Sequence, residues 1–565
     1  MRTRHRLLLL ALAAAGLAAC SKPAGKNEVP LAYVPADTPY VYANVEPAPA
    51  AITEQWSKRM QAYLPALLGV YDHALDKAGA GGDADSQRAL KIAHALLDEL
   101  KAHADWDKLR QIGFKPDAHM AFYGVGMVPV LRLELGDPAA FKAEVARVEE
   151  KVGEKMPVAR TGAQEYWQLG SEQIAGVIAV QGTHLVITAL PPQADDVLKQ
   201  TLLGITPPAQ NILAAGTLQA LAKQYGYTPY GAGFIDIVRL TERLTTAATG
   251  SDAAFAKAVG VPMTGSDATC RAEYLEIAHK FPRLVGGAEE LGTQRVRISA
   301  QLEIEGDLAL QLATALGAAP GTGVAGEGIA DVSMAVPVLR LRDFWLKQAD
   351  SVAAKPFACP SLTSLNESYR SSKQKIDVTV PPPASDLTGV RFTLDKIDFG
   401  TQAQAMPDIA GRVLMASSNP AAALAMAQLA MPGLAKLKIP ADGKPVPVPA
   451  GIAPPGTPPL AIAMSNQAIA IAAGTGQDAL LGTYLAAPAA SDAVFLRMHF
   501  SGAFYGVMAK GLDLLKAKMP ADQQAQFAQQ QQMFAMYEKW LRTIDISLTA
   551  VANGIALRET IEQNP

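Results

Sequence analysis

Cysteine is scarce in this chain, with three in 565 residues. That excludes a small scaffold stapled by disulfides, so the fold must rest on apolar burial. Apolar residues make up 49% of the sequence and the mean hydropathy is +0.11, which is enough for substantial cores and too apolar for general disorder. Charge imbalance is missing too: 50 Lys and Arg stand against 53 Asp and Glu, for a formal charge of −3. Without basic blocks, nothing drives phosphate neutralisation, so nucleic acid is not an expected partner. Beyond the N-terminus no run is long and apolar enough to span a bilayer. The best stretch, residues 420–435 (PAAALAMAQLAMPGLA), is Ala-rich and broken by Pro432, and it predicts a buried helix.

Catalytic signatures are absent as well. The sequence holds no HExxH, GxSxG, Walker A or Lys-Thr-Gly. Gly321, Gly323 and Gly326 match GxGxxG, but a strand pattern follows them where a phosphate-binding helix would be required. Ser372 and Lys375 fit SxxK inside a polar segment, SYRSSKQK, without the Lys-Thr-Gly element that accompanies that chemistry. His73, His94 and His103 lie in an early helical region; His119, His184, His279 and His499 are scattered. None has the spacing of a metal site, so no metal and no cofactor is expected. Asp83, Asp85, Glu149, Glu150, Glu289 and Glu290 sit in polar runs that read as solvated faces.

What is present begins at the first residues. Arg2, Arg4 and Arg6 precede an apolar run over residues 7–19, shorter than the roughly 20 residues a bilayer core needs. A basic start, a short apolar run and small residues at its end make a secretory signal. The run closes on Leu17-Ala18-Ala19-Cys20, which resembles the lipobox of bacterial lipoproteins. The resemblance implies cleavage between Ala19 and Cys20, a diacylglycerol thioether on the Cys20 sulfur and an acylated amine. Several acyl chains give stable anchoring, at about 0.8 kcal/mol per buried methylene. Ser21, rather than Asp, follows the cysteine; by the same resemblance this favours the periplasmic leaflet of the outer membrane. Cys270 and Cys359 then remain as an even pair in an oxidising compartment, and one disulfide is expected.

The mature chain reads as if written twice. LRLELGDPAAFKAEVARVEEKV from Leu131 parallels VLMASSNPAAALAMAQLAMPGL from Val413: a strand, then Asp137-Pro138 or Asn419-Pro420, then a helix. Asp or Asn caps such a helix, and Pro sits where its missing N–H costs nothing. Residues 176–202 parallel residues 460–485 as hairpin, loop and helix, turning at Gln181-Gly182-Thr183 and Ser465-Asn466-Gln467. YGAGFIDIVRLTERL parallels DAVFLRMHFSGAFYGVM as a strand entering a helix. Residues 295–312 parallel residues 544–561 as two hairpins, with Glu305-Gly306-Asp307 and Ala552-Asn553-Gly554 as turns.

The expected fold class is therefore α+β: two duplicated halves, each a mostly antiparallel sheet of hairpins covered by helices. Residues 1–19 form the signal, 20–27 a lipidated tether, 28–315 the first half and 329–565 the second. Residues 316–328, rich in Gly and Ala, read as a flexible linker. Residues 86–104 and 522–542 carry helical apolar stripes, and residues 438–459 a Pro-rich surface loop. With VPADTPYVYANVEP behind a lipobox, this patterning resembles an uncharacterised family of bacterial cell-envelope proteins, a domain of unknown function. The resemblance supplies no catalytic residues.

These features point to a non-enzymatic, lipid-anchored protein facing the periplasm, which acts as a binding, scaffold or assembly protein on another envelope protein. The alternative is a carrier of a lipid or other hydrophobic ligand, with the Met- and Ala-rich residues 414–431 as adaptable lining. A further alternative is an enzyme whose site forms only on folding. Tyr33, Tyr40, Tyr42, Trp56, Tyr166 and Trp167 are candidates for lining a groove. Replacing Cys20 by Ala is expected to move the chain from the membrane to the soluble periplasmic fraction, read by fractionation and intact mass; continued membrane association would contradict the anchor.

Overall fold

The computed structural model describes residues 29–58, 68, 84–103, 105–171, 174–191, 194–246, 250–261, 267–399, 407–453, 456–516 and 520–565. The signal, Ala19, Cys20, His73 and Asp83 lie outside these described residues. The chain divides into two compact units, Met1–Thr293 and Gln294–Pro565. Both are α+β with antiparallel sheets.

Unit 1 contains β1 (Tyr40–Ala43), β2 (Met120–Val125), β3 (Val128–Glu134), β4 (Val158–Thr161), β5 (Gln164–Ser171), β6 (Ile174–Gln181), β7 (His184–Leu190), β8 (Ala232–Asp236) and β9 (Arg283–Leu291). Its strands are ordered β9-β8-β1-β2-β3-β7-β6-β5-β4. One face of the sheet, through Val41, Ala43, Ala121, Tyr123, Val130, Val177 and Val186, packs on Leu202, Leu203, Leu218 and Leu221 of two helices. The other face, through Phe122, Leu131, Leu133, Trp167, Leu185 and Ile187, is covered by Phe114 and Phe141. Phe141 comes from the helix Pro138–Val152.

Unit 2 contains β10 (Arg295–Glu303), β11 (Ala330–Ala335), β12 (Leu387–Asp398), β13 (Asp408–Ser417), β14 (Val446–Val448), β15 (Leu460–Met464), β16 (Ala468–Ala473), β17 (Val494–Ser501), β18 (Leu541–Val551) and β19 (Gly554–Gln563). Their order is β10-β19-β18-β17-β11-β12-β13-β16-β15-β14. The run β17-β11-β12-β13-β16-β15 repeats β8-β1-β2-β3-β7-β6 of unit 1, so the duplication seen in the sequence is a duplication of topology. The turns expected at Gly182-Thr183, Ser465-Asn466-Gln467 and Ala552-Asn553 each join two paired strands.

Two local expectations differ from the fold. Residues 295–312 are a strand followed by the helix Gly306–Leu316, not a hairpin. Leu, Ala and Gln dominate LALQLATAL, all strong helix formers, and Asp307 sits in the first turn, where the helix dipole favours an acid. β10 pairs along its whole length with β19, from Arg295↔Glu562 to Glu303↔Gly554, which places it in unit 2. The division between units thus precedes residues 316–328, and that segment is hydrogen-bonded to unit 2 rather than free: the Ala319 N–H donates to Val494 O at 2.8 Å and the Gly323 N–H to Pro488 O at 2.9 Å. Backbone pairing overrides what the Gly-rich composition suggests.

Cys270 and Cys359 are both disulfide-bonded. The Asp137 and Asn419 caps are also formed. Asp137 Oδ1 accepts from the Ala139 and Ala140 N–H groups at 2.9 and 3.0 Å, whereas Asn419 Oδ1 accepts from Ala422 N–H alone at 3.2 Å. Loss of a cap costs about 0.5–2 kcal/mol. Asp137→Ala is expected to lower the urea midpoint more than Asn419→Ala, because it removes two bonds and a carboxylate at the dipole's positive end. Equal effects would contradict this.

Candidate functional site

The strongest concentration of polar chemistry in unit 2 lies on one face of its sheet, where four adjacent strands bring Asp331, Ser333, Arg391, Thr393, Arg412, Arg497 and His499 together, all buried. Asp331, on β11, accepts from Arg391 Nε at 3.1 Å and Nη2 at 2.7 Å, a bidentate pair. Arg497 Nη2 donates to the same carboxylate at 3.3 Å, and the Glu327 backbone N–H donates to it at 3.2 Å. Arg412 donates to Glu327 Oε2 at 2.9 Å. Tyr484 closes the cluster from the helix Leu481–Ala486: the Arg391 and Arg412 guanidinium carbons stand 4.5 and 5.1 Å from its ring centroid, and its hydroxyl accepts from Thr393 Oγ1 at 3.0 Å. His499 Nδ1 lies 2.9 Å from Asp545 Oδ1.

Electrostatics follow this geometry. Burial works against the Arg391 cation, but the bidentate bond to Asp331 overrides it and raises its pKa. Arg497, with one longer contact to Asp331, is held below the usual guanidinium range by burial. Burial also pushes the Tyr484 hydroxyl up to about 12, against the opposing pull of Thr393 and Arg391. Asp331 accepts from two guanidinium groups and an amide, three of these bonds on Oδ2 and one on Oδ1, which holds it as the buried anion of the cluster.

The segment expected to be a linker seals the cluster. Arg497 Nη1 donates to the backbone carbonyls of Val324 and Thr322. At Gly321, which has φ +69°, a Cβ would stand 2.6 Å from Arg391 Nη1; at Gly326 it would stand 2.3 Å from His499 Cγ. These glycines allow the backbone to lie directly on the charged side chains. The GxGxxG spacing is accounted for by this close approach, and the strand β11 follows it.

The same positions in unit 1 carry no charge. With Asp137 set against Asn419, the strand registers pair Asp331 with Val41, Ser333 with Ala43, Arg391 with Ala121 and Thr393 with Tyr123. They pair Arg412 with Val130, Arg497 with Ala232 and His499 with Phe234. All seven counterparts are buried in the apolar core of unit 1. The fold itself therefore does not require the charges.

The opposite faces of the two sheets also differ. The cross-strand row Val332, Phe392, Val413, Ile471 of unit 2 corresponds to Tyr42, Phe122, Leu131, Ile187 of unit 1. Leu131 is 2% exposed, and Val413, its counterpart, 46%. Phe392, Ile471 and nearby Met334 are exposed to a similar degree. The helix Pro420–Ala430 and the residue after it add exposed Met426, Leu429 and Met431. Between the helices Val338–Ala354 and Thr363–Ile376 runs an apolar groove of about 440 Å³, lined by Trp345, Leu346, Leu365, Tyr369 and Ile376.

The residues singled out in the sequence are not gathered into one site. Tyr33 lies under Arg132 at 3.9 Å, Tyr40 donates to Met127 O at 3.1 Å, Tyr166 is in the core and Tyr42 is exposed. Trp167 lies on β5, on the far face of the unit 1 sheet. Ser372 and Lys375 sit on one polar helix. His119 pairs with Glu134 at 3.0 Å, which is a structural contact. The charged cluster was missed, although a signal existed: single Arg, Asp or His residues interrupt the apolar strands ADVSMA, GVRFTL, GRVLMA and FLRMHF where the first copy is apolar.

Comparison with protein-family models, with curated proteins and with solved structures returns no match.

Breaking a buried pair by removing one partner costs about 3–5 kcal/mol, whereas replacing the whole set by apolar residues is often neutral. Asp331→Val alone is expected to destabilise unit 2 by about that amount. The triple variant Asp331→Val, Arg391→Met, Arg497→Met should be more stable than the single one, as measured by urea unfolding. A triple variant that loses stability additively would contradict mutual compensation.

Proposed function

We propose that this chain is a non-enzymatic, lipid-anchored protein of the cell envelope that binds an apolar surface of another envelope protein through the open face of the unit 2 sheet. The observation that carries the reading is the exposed row Phe392, Val413, Ile471 with Met334, where the duplicate unit half-buries Phe122 and Ile187 and fully buries Leu131. Covering a half-exposed side chain of this kind contributes roughly 1 kcal/mol, so a handful of them suits a stable partner contact. The pairing of Asp331 with two guanidinium groups and the segment laid over the cluster support a binding role over a catalytic one. Cys20 supplies the tether by its resemblance to a lipobox, and the resemblance places the body in the periplasm, at the outer membrane.

A second reading, a carrier of lipid or another hydrophobic ligand, is favoured by the groove lined by Trp345, Leu346, Leu365, Tyr369 and Ile376.

A photo-activated cross-linking residue at Val413 is expected to trap one defined envelope protein in cells, and the same residue at Val197, exposed on a unit 1 helix, to trap none. Native mass spectrometry of the gently purified chain should then show an apo mass. Stoichiometric lipid, lost on Leu346→Lys, would favour the carrier. Adducts equal at both positions would contradict a specific face.

A further inference from the structure

Glu99, His103 and Glu144 form a second cluster, in unit 1, which the binding reading does not use. Glu99 lies in the last turn of the helix Ala84–Ala102, His103 directly follows that helix, and Glu144 lies on the helix Pro138–Val152. One ligand atom from each lies within 4.8 Å of the others. Glu144 is only 8% exposed, and its Oε1 is buried without a hydrogen-bond partner. An unpartnered buried carboxylate oxygen is costly, and a cation beside it removes that cost. His103 Nδ1 stands 2.8 Å from the Glu99 carbonyl oxygen. A carbonyl can only accept, so Nδ1 carries the hydrogen, and the tautomer this fixes has its lone pair on Nε2. A backbone carbonyl commonly fixes metal-binding imidazoles in this way.

We propose that Glu99, His103 and Glu144 bind one divalent transition-metal ion, with Zn²⁺ the best match, and that the ion clips the two helices together. Two carboxylates and an imidazole suit Zn²⁺ better than Mg²⁺ or Ca²⁺, which take oxygen ligands, and better than Cu(I), which takes sulfur. Bonds of about 2.1 Å in a tetrahedron set ligand atoms about 3.4 Å apart, so side-chain adjustment across the two helices closes the site. Water completes the fourth position. Arg147 contacts Glu144 and Glu99, and Lys151 Nζ lies 3.1 Å from Glu99 Oε1. Both cations are about half exposed, so each can turn to solvent when an ion takes its place. The ion displaces them toward solvent.

The full chain, purified in detergent and stripped with EDTA, is titrated with Zn²⁺ by calorimetry. One saturable site per chain is expected. His103→Ala and Glu144→Gln should each weaken it at least tenfold, with unchanged far-ultraviolet dichroism confirming that each variant is folded. Arg147→Ala, which removes a competing cation and keeps every ligand, should bind as tightly or more tightly. No saturable site in either the wild type or Arg147→Ala would overturn the proposal and leave an ion-pair cluster only. Undiminished binding in both His103→Ala and Glu144→Gln would overturn it as well.

Discussion

Asp331 is cut off from solvent in the middle of a sheet, and a carboxylate in that position is tolerable only if cations reach it. Arg391 does so with two hydrogen bonds and Arg497 with one. Those cations need compensation of their own, which comes from Glu327, from the Tyr484 ring and from the backbone carbonyls of Thr322 and Val324. The requirement propagates outward: satisfying Arg497 draws the 317–328 backbone onto the sheet, and only glycine at positions 321 and 326 lets it come that close. A stretch with linker composition becomes the lid of a charged core because the charges demand partners.

The duplication gives this arrangement an internal control. One topology occurs twice in the chain. In unit 1 one face is an apolar core around the buried Arg132 and the other is apolar with Leu131 and Leu133 buried; in unit 2 one face is charged and sealed while the other is apolar and open. A buried arginine occurs in both, but on opposite sides of one cross-strand pair: Ala121 faces Arg132 in unit 1, and Arg391 faces Leu414 in unit 2. Since apolar residues suffice at every charged position of unit 2, stability alone does not account for the charges. They specify a single closed arrangement of one face. The apolar row behind it is left as the surface with burial still to gain, which is the basis of the proposed binding role.

The repeat was legible in the sequence because it rests on local chemistry. Asp137-Pro138 and Asn419-Pro420 mark helix starts, and Gly182 marks a tight turn, whatever the tertiary setting. The strand registers followed from those anchors. What could not be read was which face each strand turns inward, and what lies across from it. Arg391 in GVRFTL looks like an edge residue until β11 and β13 are placed on either side. The division between the units was misplaced for the same reason: residues 295–303 are assigned by pairing with β19, a partner more than two hundred residues away. The helix Gly306–Leu316 was missed because LALQL alternates like a strand over so short a window. Glu99, His103 and Glu144 come from two segments with no shared motif, so only folding brings them within reach of one another.

The most direct measurement is oxidative footprinting of the purified chain, with side-chain modification read residue by residue. Met334 is 43% exposed on the open face of unit 2, and Met120 is 3% exposed in unit 1. An open unit 2 face predicts rapid modification of Met334 and Phe392, with Met120 and Leu131 protected in the same sample. Protection of Met334 and Phe392 equal to that of Met120 and Leu131 would mean that the face is covered by the chain itself, and would contradict its role as the binding surface.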